Sequence, residues 1–179
     1  MTEYNANRLI PLDKGMTKEN KPGVRPIGIG EVLRRIIAKL LIGLIKDDII
    51  TAAGPLQTCA GLKGGIEAAI HAMRQTYEKS DSEAVLLVDA ENAFNNINRK
   101  VALQNIKQIC PPFYQYLFNT YQKPALLVIP GEKSHETIYS EEGCTQGDVN
   151  AMALYGIGLS PLVTRLSEVI DRQSCVQSC

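Results

Sequence analysis

Tryptophan is absent from the 179 residues, and histidine occurs only twice, at His71 and His135. The two histidines are far apart in the chain and near no cysteine pair, so no histidine-based metal set is legible. Cysteine is present five times, at positions 59, 110, 144, 175 and 179, but in no CxxC pair. An odd number without framework spacing argues against both a disulfide scaffold and a zinc ribbon. Reduced thiols in a cytosolic or nuclear protein are the expectation. Excess charge of either sign is also missing, because 19 basic and 19 acidic residues cancel. Bulk charge therefore does not point to a nucleic-acid partner, and any such partner has to be sought in local clusters. Long apolar runs are lacking too. The run Leu40–Ile45 is far too short to span a bilayer. The opening residues MTEYNANRL are polar and hold no signal-peptide core. An intracellular protein, neither secreted nor membrane-bound, is expected.

What is present is ordinary in bulk, with 45 % hydrophobic and 21 % charged residues. That suits one globular domain with a real core. The most informative stretch is Ala84–Asn98, AVLLVDAENAFNNIN. Ala84–Val88 reads as a strand buried on both faces. It delivers the carboxylate of Asp89 where the apolar run stops. Phe94 follows five residues later, and then an Asn-rich turn. A carboxylate at a strand tip suits a hard cation, since Mg²⁺ takes oxygen ligands and keeps several waters. By itself it also suits an ordinary turn, where aspartate is common.

Upstream, Arg8–Leu12 and Val24–Ile29 read as two strands joined by a basic turn that holds Lys14, Lys18 and Lys21 and leads to Arg25. Gly28 and Gly30 form a GxG without the third glycine of a dinucleotide fingerprint. From Glu31 a helix is expected, with Val32, Leu33, Ile36, Ile37, Leu40, Leu41, Leu44 and Ile45 as its core stripe. Gly54-Pro55 ends that element. A second helix, about Ile66–Lys79, carries Ile66, Ile70, Met73 and Tyr77 on one face. Further helices are expected over Arg99–Ile109 and from Pro111, where proline suits a first turn. A hairpin is expected from Ala125–Ile129 and Glu136–Ser140. Then comes Glu141–Asp148, EEGCTQGD, followed by a helix over Val149–Leu166 interrupted near Gly156, Gly158 and Pro161.

Three features thus stand in order: a basic hairpin ending Arg25-Pro26-Ile27, a strand delivering Asp89 with Phe94 beyond it, and a Gly143-x-x-Gln146-Gly147-Asp148 turn entering a helix. Together with RPIGIGEVLRRIIAKLL and LVDAENAFN, this order resembles the fingers and palm of a reverse transcriptase, especially those of non-LTR retrotransposons. The resemblance covers roughly Arg8 to Leu166. It implies an α+β fold, an incomplete right-hand polymerase of mixed helices and short antiparallel strands. Residues 1–83 would be fingers-like, 84–121 a palm segment, 122–142 a fingers-like hairpin, 143–166 palm again and 167–179 a divergent tail, all in one structural unit.

The resemblance also implies roles. Asp89 would be the catalytic carboxylate and hold Mg²⁺, with the Ala90 carbonyl beside it. Phe94 would lie under the deoxyribose and clash with a ribose 2′-hydroxyl. Gln146 and Gly147 would follow the nucleotide and the template–primer backbone, with Gly143 also on the nucleic-acid path. Arg25 would contact the triphosphate, assisted by Lys14, Lys18 or Lys21, among which spacing does not choose. The implied partners are an RNA template, a DNA primer and dNTPs.

The sequence departs from the family in one respect that matters. Active relatives carry a later [YF]-x-D-D hairpin that sets two more carboxylates beside the first. No Asp-Asp follows Gln146 here, and the single Asp-Asp is Asp47-Asp48. The expectation is a truncated domain, inactive in polymerisation by itself and binding Mg²⁺ weakly or not at all. The alternative is a non-catalytic nucleic-acid-binding remnant of a retroelement.

Overall fold

In the computed structural model, residues 4–16, 20–58, 60, 63–79, 87–132 and 134–177 are described. A long hairpin, β1 (Asn7–Met16) and β2 (Pro22–Gly30), opens the chain. Its strands pair antiparallel, with Pro11 opposite Pro26 and a bulge between Asp13 and Gly15. Helices α1 (Val32–Leu44) and α2 (Lys46–Ala53) follow, then α3 (Gly65–Tyr77). Next come the short α4 (Ala93–Asn96), α5 (Arg99–Ile109) and α6 (Pro111–Tyr121). A second hairpin, β3 (Ala125–Pro130) and β4 (His135–Ser140), leads to the long helix α7 (Ala151–Gln177). The fold is α+β.

Both hairpins lie where the sequence places them. Their union does not follow from local pattern: Asn7 and Arg8 of β1 pair parallel with Leu127 and Val128 of β3, giving one mixed sheet in the order β2-β1-β3-β4. The core lies beside this sheet, among α2, α5, α6 and α7. Ile49, Leu103, Ile106, Phe113, Leu117, Leu154 and Ile157 are all buried there. The Asn-rich turn has a job for several of its members. Asn92 takes a left-handed φ of 49°, a conformation asparagine tolerates. Asn96 donates to the Glu91 carbonyl at 3.0 Å. Asn98 caps α5, its side chain accepting from the Val101 amide at 3.0 Å.

The structure corrects four expectations. The buried strand at 84–88 is the first. Residues 84–86 lie outside the described residues, and Leu87 and Val88 are 76 % and 84 % exposed and not in a strand. A strand buried on both faces needs paired neighbours and covering layers, and none of the described strands pairs with residues 87–90. Second, the apolar stripe of α1 is core only along one edge, where Leu41 and Ile45 are partly buried against the cluster. Val32, Leu33, Ile36, Ile37, Leu40 and Leu44 are exposed, while Arg34 and Ala38 are buried. Third, the helix breaks at Ile45, so Asp47-Asp48 begins α2. Fourth, α7 runs without interruption past Gly156, Gly158 and Pro161, and on to Gln177 through most of the segment expected as a divergent tail. Pro161 leaves the Ile157 carbonyl without its helical donor. The Ser160 hydroxyl donates to that carbonyl at 2.9 Å instead. Gly158 lets α7 lie against α5, since a Cβ there would come 2.9 Å from that of Ala102. Among the described residues no helix is long and apolar enough to cross a membrane.

Candidate functional site

Two turns meet the hairpin at one place. The Gly28 amide of β2 donates to the Gln146 carbonyl at 2.8 Å. The Cys144 amide donates to the Phe94 carbonyl at 2.7 Å. These two backbone bonds hold the Phe94 turn, the Gln146 turn and β2 together. Glycines make the approach possible. A Cβ on Gly28 would overlap the Thr145 side chain, and one on Gly147, whose φ is +105°, would come 2.8 Å from the Gly28 carbonyl oxygen. Gly143, at φ +68°, is buried against the Phe94 and Asn95 carbonyls. The GxG of β2 is thereby explained by packing rather than by phosphate.

The meeting point encloses a cleft of about 250 Å³, lined by Lys14, Val24, Arg25, Pro26, Asn92–Asn95 and Gln146. It gathers four of the residues singled out from sequence: Lys14, Arg25, Phe94 and Gln146. Lys14 and Arg25 face it from the two strands of the hairpin. Phe94 forms part of its wall and packs on Tyr155 of α7, ring centroids 5.2 Å apart and planes tilted by 44°. Lys21 is exposed and does not line the cleft; Lys18 lies outside the described residues. Asp89 and Ala90 are exposed, on the segment leading into the Phe94 turn, and neither lines the cleft. Among the described residues no three His, Cys, Asp or Glu side chains gather to hold a metal ion.

Behind the cleft lies a buried polar network whose roles the sequence did not reveal. Arg34 of α1 donates to Asn7 Oδ1 at 2.6 Å and stands 3.7 Å from the Asp148 carboxylate. Tyr121 of α6 donates to Asp148 Oδ2 at 2.7 Å. The Asn150 amide donates to Asp148 Oδ1 at 2.9 Å. Asp148 thus ties the Gln146 turn to α1 and α6 directly, and to β1 through Arg34. Burial, and then the Asp148 charge, push the Tyr121 hydroxyl well above its usual pKa. Burial, and then Asp148, also raise the Cys144 thiol to about 12. Gly30 serves the same network, since a Cβ there would overlap the Arg34 guanidinium. The signal available was Arg34 at the edge of the apolar stripe that also carries Leu41 and Ile45, but a solvated arginine flanking an apolar face has the same spacing.

A second arginine clamps the approach to the turn. Arg99 donates to the carbonyls of Gly143 (2.9 Å), Glu142 (2.8 Å) and Ser140 (3.2 Å). Its amide donates to Glu142 Oε1 at 2.5 Å. That backbone bond is the main cause of the lowered Glu142 pKa. Burial lowers the Arg99 pKa, against the attraction of Tyr121 and Glu142.

This arrangement can hold an anionic ligand between two cations and an aromatic wall. None of the curated proteins compared with the chain matches it. The family model for reverse transcriptase (RNA-dependent DNA polymerase) matches residues 16–177. The match spans nearly the whole sequence, from the tip of the hairpin to the end of α7, and the chain belongs to the reverse transcriptase family.

Proposed function

We propose that the cleft between the hairpin, the Phe94 turn and the Gln146 turn receives a deoxynucleoside triphosphate, in a domain of the non-LTR retrotransposon type. The observation that carries this reading is the convergence of Lys14, Arg25, Phe94 and Gln146 on one cavity. Phosphoryl transfer depends on positioning and charge neutralisation, with little covalent work by the protein. Arg25 offers a planar fork to phosphate oxygens and Lys14 a point charge. Phe94 presses on the sugar and rejects a 2′-hydroxyl. Gln146 and Gly147 lie along the nucleotide and the template–primer backbone, and Lys21 borders the path of the RNA template and DNA primer.

Asp89 and the Ala90 carbonyl are the candidate metal ligands. One carboxylate and a carbonyl fit at most a single Mg²⁺, and neither lines the cleft proposed for the phosphates. They do not fit the pair of cations that clamps attacking and leaving oxygens. When bound, Mg²⁺ supplies charge neutralisation at the phosphates. A polypeptide of these 179 residues alone therefore binds nucleotide and nucleic acid but does not polymerise. The single carboxylate favours this non-catalytic reading over an active enzyme.

Primer extension on a primed RNA template with dNTPs and Mg²⁺ tests it. No extension is expected, together with template–primer binding that weakens steeply with salt. Extension that Asp89→Ala abolishes would overturn the inactivity. Weak binding that is flat with salt would overturn the nucleic-acid reading.

A further inference from the structure

On the far side of the Glu142 segment lies a larger cavity, of about 570 Å³, between α5, α6, the Gln122–Pro124 connection and Glu141–Glu142. It shares no lining residue with the nucleotide cleft. Its volume falls in the range of small-ligand sites. The chain as a whole is neutral, yet Arg99, Lys100, Lys107 and Lys123 converge here against Glu141 and Glu142. Arg99 spends its donors on carbonyls of the chain, so it forms a positive floor rather than a ligand contact. The three lysines are exposed at the rim.

The apolar part is aromatic. Tyr114 and Phe118 are half-buried and paired, with centroids 5.4 Å apart. The Lys107 ammonium sits 5.6 Å from the centre of the Tyr114 ring. Gln104 and Gln122, both exposed, add amide donors and acceptors at the edge. Cations beside aromatic rings, with amides in reach, match a phosphate joined to a planar base. Rings stack any base, and lysines take the phosphate.

We propose that this cavity is a second nucleotide-binding site, with phosphate held by Lys107 and Lys123 and the base against the Tyr114–Phe118 pair. It does not depend on the reading of the Phe94 cleft. The source is either a free nucleotide or one unit of a single strand, and both offer the same chemistry.

Amide chemical shifts of the whole chain, titrated separately with AMP, inorganic phosphate and single-stranded oligoadenylate, test the proposal. AMP is expected to shift the amides of residues 100–107 and 118–123 saturably. The Lys107→Glu/Lys123→Glu variant, altered only at exposed positions, should weaken AMP by roughly tenfold or more, a decade being about 1.4 kcal/mol. Tyr114→Ala should weaken AMP and leave phosphate unchanged. Arg25→Ala should leave these shifts as they are, which separates failure here from failure at the other cleft. Oligoadenylate binding tighter than AMP identifies a strand as the source; equal binding identifies the free nucleotide. Phosphate binding as tightly as AMP, AMP binding unmoved by the lysine reversals, or shifts confined to the Phe94 turn would overturn the proposal.

Discussion

The Arg34 guanidinium stands 3.7 Å from the Asp148 carboxylate, and both side chains are 4 % exposed. One belongs to α1 and the other to the turn that presents Gln146. Removing either partner strands a charge in the interior. Arg34→Met or Asp148→Asn is expected to lower stability by about 3–5 kcal/mol, because an unpaired buried charge keeps its desolvation penalty. Tyr121→Phe, which loses a neutral donor to the same carboxylate, should cost about 1.5–3 kcal/mol. Urea unfolding of the three variants checks the order.

Two glycines differ in what surrounds them. Gly143 has φ +68° and faces the Asn95 carbonyl, whereas nothing stands within 4 Å of a Cβ built on Gly43 in α1. Gly143→Ala should destabilise by more than the about 1–3 kcal/mol of a strained backbone alone, because its Cβ would overlap the Asn95 and Phe94 carbonyls. Gly43→Ala should stabilise by roughly 0.5–1 kcal/mol through helix propensity. Thermal melts that move in the same direction for both would contradict the account.

Alkaline pH acts on the buried acids behind the cleft. Cys144 is raised from 9.0 to about 12 and Tyr116 from 10.0 to about 12, each chiefly by burial. The fold prefers their protonated forms. Their contribution is therefore intact below the unfolded values and is lost as pH rises from about 9 towards about 12. Stability followed by denaturant midpoint should fall across that window, and Cys144→Ala should remove part of the fall. Folded protein at neutral pH should alkylate Cys144 far more slowly than unfolded protein, since the thiolate is the nucleophile.

The apolar face of α1 is open to solvent at Leu33, Ile36 and Leu40, as is that of α3 at Ile66, Ile70 and Met73. Patches of this kind promote association. Ile36→Lys with Ile70→Lys should raise solubility and reduce hydrophobic-dye binding. Stability should change by less than about 0.5 kcal/mol per site, as expected for exposed positions. A large loss of stability would mean that these faces are covered.

Much of the fold was legible because it is local. Short strand-like runs on either side of a turn marked both hairpins, and the proline pair at 111–112 marked the start of α6. Helical periodicity found α1 and α3 as amphipathic helices, but periodicity says which residues share a face and not what covers that face. Hence the whole apolar stripe of α1 looked like core, although it packs on the core along the edge of Leu41 and Ile45, beside the buried Arg34 and Ala38. The helix through Pro161 was missed because its rescue depends on one hydroxyl, that of Ser160. At the site, residue types and order singled out Arg25, Phe94 and Gln146. The Arg34–Asp148 link escaped notice, since its partners lie on elements whose contact no local pattern encodes.

The account rests most heavily on the cleft that Lys14, Arg25, Phe94 and Gln146 share. Equilibrium binding of dTTP and its ribose counterpart, with Mg²⁺, to the unaltered chain and to Arg25→Ala and Phe94→Ala tests it most directly. The account predicts that the deoxy form binds more tightly, that Arg25→Ala weakens both by roughly tenfold or more, as loss of a charge-assisted contact should, and that Phe94→Ala erases the preference between them. Equal binding of both nucleotides to the unaltered chain, unmoved by either substitution, would contradict it.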